Sequence, residues 1–124
     1  MNRYFNNWSN RDDVEMDFRG ERWNWDNKAP VPDFPTDEEI LFASYAEFSY
    51  EGDSMVLFWR DGRIYQNEAS HCSCYGLEGS WNPDEVLPEQ LLKQRELYRE
   101  HGDEACAAYA AVVNRLNGIT GTIH

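Results

Sequence analysis

Ser54-Met55-Val56-Leu57-Phe58-Trp59-Arg60-Asp61-Gly62-Arg63-Ile64-Tyr65 decides the fold. Large apolar side chains run from Met55 to Trp59, Asp61-Gly62 interrupts them, and Ile64 and Tyr65 resume the pattern. Asp-Gly suits a two-residue type I′ hairpin, in which both central residues need positive φ. Such a turn pairs Arg60 with Arg63, Trp59 with Ile64 and Phe58 with Tyr65. Those ring pairs favour this register over its neighbours. Ser54–Arg60 is then one strand, with Met55, Leu57 and Trp59 on one face and Val56 and Phe58 on the other. Arg63–Ala69 is the next strand.

Working upstream, residues 40–50 read as a third strand. Ile40, Phe42, Ala46, Phe48 and Tyr50 share one face, and Leu41, Ala43 and Tyr45 lie on the other. Glu51-Gly52-Asp53 carries the composition of a turn. The three strands form an antiparallel meander. Residues 1–36 read as irregular: Asn, Asp and Arg interleave with Tyr4, Phe5, Trp8, Phe18, Trp23, Trp25 and Phe34, and no period persists. A short helix fits around Asp12–Phe18, and Pro30, Pro32 and Pro35 then hold the chain extended. Two readings of this arm stand side by side. Its rings pin it to the domain, or it is an acidic, aromatic recognition arm that orders on a basic partner.

Working downstream, Asn82-Pro83-Asp84-Glu85 is a helix-start signature, with Asn at the N-cap and Pro at the first helical position. Pro88 offers a second start. The helix is expected to run to about His101, where Gly102-Asp103 breaks it and caps the next. The following helix runs from Glu104 to about Asn117, with Cys106, Tyr109, Val113 and Leu116 at helical spacing. The expected fold is α+β: a three-stranded antiparallel meander packed with two C-terminal helices. An irregular arm (1–36) precedes this single α+β domain (37–124).

A chain of 124 residues is one domain. Its formal net charge is −12, with the acidic residues spread along the chain rather than gathered in a tail. Such a field repels nucleic acid and anionic membranes and attracts basic surfaces. No apolar run approaches a membrane span, and the first residues carry no apolar signal region. Three cysteines in a chain that is not exported are expected to stay reduced.

Ser70-His71-Cys72-Ser73-Cys74-Tyr75-Gly76-Leu77-Glu78-Gly79-Ser80-Trp81 packs a histidine, two cysteines, two glycines and two aromatics into one loop. With Tyr50-Glu51-Gly52-Asp53 and Asp61-Gly62-Arg63-Ile64-Tyr65 before it, this stretch resembles a group of small, functionally uncharacterised bacteriophage and prophage proteins. The resemblance covers roughly residues 40–87. It implies a phage setting, and so the host bacterial cytoplasm, and it carries over no catalytic residues. Small acidic phage proteins often inhibit host defence, as anti-CRISPR and anti-restriction proteins do, and that link is one of class.

Three chemistries compete. Cys72, Cys74, His101 and Cys106 supply the donor set of a Cys₃His zinc site, which would make the chain a small zinc- or thiol-stabilised structural or regulatory module. The spacing opposes it, because zinc knuckles separate paired cysteines by two to four residues. A Cys72 nucleophile would need His71 beside it, yet adjacent residues on an extended chain point to opposite faces. No phosphate loop, dinucleotide turn or Ser-His-Asp pattern is legible. Interaction remains. Asp12, Asp13, Glu15, Asp17, Trp23 and Trp25 in the arm, with Glu96, Glu100, Asp103 and Glu104 near the helices, are the expected partner-binding residues. Carboxylates along one surface imitate duplex phosphates and can occupy a basic nucleic-acid channel. The expected function is a non-enzymatic, DNA-mimicking inhibitor of a basic nucleic-acid-binding host protein complex. No cofactor, no direct nucleic-acid contact and no membrane are expected, and an exposed sheet edge leaves a homodimer open.

Overall fold

The computed structural model describes residues 3–19, 31, 33–48, 51–71, 77, 80–93 and 97–118. Strand β1 (Tyr4–Asn6) leads into helix α1 (Arg11–Phe18). Then come β2 (Ile40–Phe48), β3 (Glu51–Arg60), β4 (Arg63–His71) and β5 (Asp84–Val86). Helix α2 (Pro88–Lys93), a 3₁₀ turn (Arg99–His101) and helix α3 (Asp103–Leu116) follow. The five strands form one sheet in the order β1-β2-β3-β4-β5. β1 runs parallel to β2, and the other neighbours are antiparallel. The expected three-stranded meander with two helices is therefore corrected to a five-stranded mixed sheet with three helices.

The central hairpin follows its sequence. Arg60 pairs with Arg63, Trp59 with Ile64 and Phe58 with Tyr65. Asp61 and Gly62 take φ values of 53° and 79°, both positive as a type I′ turn requires. The Phe58 and Tyr65 rings stack at 5.1 Å.

The β2–β3 connection departs from expectation. Glu51, Gly52 and Asp53 are strand residues, paired with Phe48, Glu47 and Ala46. Gly52 serves a neighbour instead of a turn: a Cβ built on it would overlap the His71 ring of β4. Asp53 is buried on the sheet. A register shift between Ile40 and Phe42 also separates two residues expected on one face. Ile40 joins the cluster with Ala43 and Tyr45, whereas Phe42 packs with the helices.

Among the described residues of the arm, 3–19 form β1 and α1, with a helix where Asp12–Phe18 led one to expect it, and their rings pin this part to the domain as a layer of the fold. Tyr4, Trp8, Val14, Phe18 and Phe34 pack with Ala43, Tyr45, Val56 and Phe58 on one face of the sheet. Trp81 sits among the same rings, 4.5 Å from Phe34 and 5.1 Å from Phe18. Helix α1 is started by Asn10, whose side chain accepts from the Asp13 N–H at 2.9 Å, while Asp13 accepts from the Ser9 N–H at 2.9 Å. The opposite face packs Phe42, Met55, Leu57 and Ile64 against Leu91, Ala105, Tyr109, Val112 and Val113. The sheet is thus apolar on both sides, as a strand run such as Met55–Phe58 demands.

At the C-terminal side, Asp84 and Glu85 do not begin a helix. They pair with Gln66 and Tyr65 as part of β5, and α2 begins at Pro88. Leu97 and Tyr98 are not helical, so the expected single helix reaching His101 is interrupted. Gly102, at φ 92°, turns the chain from the 3₁₀ turn into α3. No described helix is long and apolar enough to cross a membrane.

Candidate functional site

The expected partner-binding carboxylates divide by environment. Glu15 is 3% exposed. Its carboxylate binds Arg11 at 2.6 Å and Arg19 at 3.3 Å, and it accepts from the Val31 N–H at 3.1 Å. Burial alone would raise its pKa, but the Arg19 and Val31 hydrogen bonds and the two guanidinium charges together hold it below the ordinary range. Asp17 accepts from the Trp8 indole N–H at 2.6 Å, and Asp13 caps α1. These three carboxylates hold the fold together. Asp12, Glu100, Asp103 and Glu104 are exposed. Trp23, Trp25 and Glu96 lie outside the described residues.

The basic side chains are placed the other way. Arg3 binds Asp37 and donates to the Ile40 carbonyl. Arg11 and Arg19 bind Glu15, and Arg60 binds Glu39 at 2.9 Å. Glu39 is held down to about 2, first by the Arg60 hydrogen bond and then, against burial, by the Thr36 N–H. Each of these arginines is part-exposed and is engaged by a carboxylate of the fold. Each pair also engages a carboxylate, so the net charge of −12 is unchanged and the acidic excess is carried by the other carboxylates, Glu100, Asp103 and Glu104 among them.

A second cluster lies between the sheet and the 3₁₀ turn. Ser44 on β2 and Asp53 on β3 share the helix-facing side. The His101 ring reaches both: Nδ1 lies 2.6 Å from Ser44 Oγ and Nε2 lies 2.7 Å from Asp53 Oδ2. All three residues are buried. Asn6, at the end of β1, donates from Nδ2 to Ser44 Oγ at 2.8 Å and to the His101 carbonyl at 2.9 Å. One proton arrangement satisfies every group. Asn6 donates to Ser44, Ser44 donates to Nδ1, and Nε2–H donates to Asp53.

Glu68 borders the cluster. Burial and the nearby Asp53 charge push its carboxyl up, against a lowering by His101. Tyr109 is pushed up to about 12 by burial and by Glu68. A cleft of about 520 Å³ opens beside the cluster, lined by Asn6, Trp8 and Ser9 on one wall and by His101, Asp103 and Glu104 on the other.

Sequence reading missed Ser44, Asp53 and Asn6. The available signal was a polar residue at an inward position of a strand that is otherwise apolar on both faces, which is rarely left without a partner. Of the expected zinc ligands, Cys72 and Cys74 lie outside the described residues. His101 has both ring nitrogens engaged, and the Cys106 thiol faces the Leu97 and Tyr98 carbonyls at 3.6 Å. Among the described residues no group of three or more His, Cys, Asp or Glu side chains is placed to hold a metal ion.

No family model matches the chain, and neither the curated proteins nor the solved structures contain a match.

Proposed function

We propose that this chain is an acidic, phage-derived inhibitor that occupies the nucleic-acid-binding surface of a basic host defence complex of CRISPR or restriction type. It acts by binding. The observation that carries this reading is the division of charge. Arg3, Arg11, Arg19 and Arg60 are committed to Asp37, Glu15 and Glu39. Glu100, Asp103 and Glu104 remain exposed around the entrance to α3. With a formal charge of −12, the molecule offers a basic channel the carboxylates that duplex phosphates would supply there.

The test is inhibition of purified effectors. CRISPR effector complexes and restriction enzymes are assayed for DNA binding and cleavage with increasing amounts of the protein, at several salt concentrations. Inhibition by direct competition should weaken steeply as salt rises. The triple variant Glu100→Lys, Asp103→Lys, Glu104→Lys should lose it while remaining folded. Inhibition that is flat with salt, or unchanged in the triple variant, rules out the electrostatic mechanism. No inhibition of any of these enzymes removes the reading.

A further inference from the structure

The Ser44–His101–Asp53 cluster has the parts of a nucleophile, a base and an orienting carboxylate, and the binding reading above does not use it. Base and nucleophile are 2.6 Å apart, and base and carboxylate 2.7 Å. Both distances are within the hydrogen-bond reach that serine activation requires. The base is Nδ1, because Nε2–H is donated to Asp53. His101 is held by hydrogen bonds from its neighbours rather than by chance packing: its N–H donates to the Tyr98 carbonyl, and its own carbonyl accepts from Asn6.

Ser44 itself has no exposed surface. Asn6 joins it to the cleft. Asn6 is exposed, lines the cleft, and donates to Ser44 Oγ. It is also the last residue of a three-residue edge strand, at φ 62°. One carboxamide, at the end of a three-residue strand, thus touches both the nucleophile and a cleft of about 520 Å³.

We propose that Ser44 is a gated acyl-accepting serine, with His101 as its base and Asn6 as its gate, and that small activated esters are its substrate class. When the Asn6 side chain swings aside, the ester carbonyl reaches Ser44 Oγ from the cleft. The Oγ–C bond forms as the Ser44 proton passes to His101 Nδ1. The tetrahedral adduct collapses, its bond to the leaving oxygen breaks, and that oxygen takes the proton from Nδ1. A water then enters by the same route, gives its proton to Nδ1 and attacks the acyl carbon. Ser44 Oγ leaves and recovers its proton. No oxidant, reductant or metal is needed.

The experiment uses the whole chain with a fluorophosphonate probe, read by intact mass and peptide mapping, and with p-nitrophenyl acetate for turnover. Wild type should gain one adduct, on Ser44. Asn6→Gly, which suits the positive φ and removes the carboxamide, should label at least about tenfold faster, because the hydrogen bonds to Ser44 and to the His101 carbonyl are both lost from the closed state. His101→Gln should slow labelling by about a hundredfold, as loss of a general base does. Ser44→Ala should show none. A far-UV spectrum and melting curve confirm that each variant is folded. If Asn6→Gly does not fold, the wild-type labelling and its dependence on His101 decide the matter. No Ser44 adduct on wild type or on a folded Asn6→Gly, or equal labelling in His101→Gln, overturns the proposal and leaves the cluster a structural clasp.

Discussion

Trp8→Ala is the sharpest test of how the N-terminal residues are used. Trp8 is 1% exposed. Its ring lies 5.3 Å from Tyr45 and 5.9 Å from Phe18, and its Nε1–H donates to Asp17. Truncation to Ala removes the ring from water-excluded surroundings, leaves a cavity between α1 and β2, and takes a donor from Asp17. Substitutions of this kind remove about 3–5 kcal/mol. A domain of this size has about 5–15 kcal/mol in total, so the loss is a large share of its stability. The melting temperature should fall by about 10–20 °C. Urea denaturation followed by far-UV circular dichroism gives the free energy, with Phe42→Ala as the matched control on the opposite face, where Phe42 is 0% exposed. If Trp8→Ala loses less than about 1 kcal/mol while Phe42→Ala keeps its full effect, the N-terminal segment is an appendage and the three-layer architecture is wrong.

Two further outcomes are expected. Gly52→Ala should destabilise by about 1–3 kcal/mol although strand glycines usually gain from alanine, because the new Cβ displaces the His71 ring from its 2.6 Å hydrogen bond with Tyr45. In a His71→Ala background the same change should be neutral or stabilising, and a cycle showing no coupling would refute the contact. The second concerns acid. Glu39 sits at about 2, below its ordinary value, through the Arg60 bond. Its contribution is therefore full above the ordinary carboxylate value and is lost as pH falls from there toward 2. Both side chains are partly exposed, so the pair is worth about 1 kcal/mol. Arg60→Gln should lower stability at neutral pH and flatten the acid limb of the stability curve. An unchanged slope between about pH 5 and pH 2, measured by urea midpoints, would remove the pair from the account.

The β3–β4 hairpin was legible because Met55–Tyr65 combines a long apolar run with a turn that fixes register. β1 and β5 were not, because each has three residues and a period of two needs more than three positions to show. Asn82-Pro83-Asp84-Glu85 also reads more strongly as a helix start than as a strand, and tertiary pairing with β4 overrides that local preference. Gly52 misled for the opposite reason: a glycine kept for a neighbour's ring has the same appearance as a glycine kept for a turn. The acids of the arm could be found by counting but not sorted. Glu15 and Asp12 are three residues apart on one short helix, and only the fold shows that Glu15 is buried between Arg11 and Arg19 while Asp12, though it touches Arg11, is exposed. Ser44 and His101 are 57 positions apart, and no local pattern joins them.

The division of charge has two consequences that pull in opposite directions. Exposed carboxylates repel one another, and that repulsion opposes folding. Salt screens charges more than about 10 Å apart at 0.1 M, so it relieves the repulsion and stabilises the free protein. The same screening weakens attraction to a basic partner. The pairs of Glu15 and Glu39 lie at 2.6–3.3 Å and are partly buried, so salt reaches them least. Solubility alone would be served by any net charge of this size, whereas specific pairing fixes which carboxylates stay free to meet a partner. Pairing four arginines with carboxylates of the fold leaves the remaining acids, Glu100, Asp103 and Glu104 among them, as the groups a basic partner would meet, at the expense of stability in dilute salt. That trade is physically reasonable when the acidic surface is the part of the molecule that meets its partner.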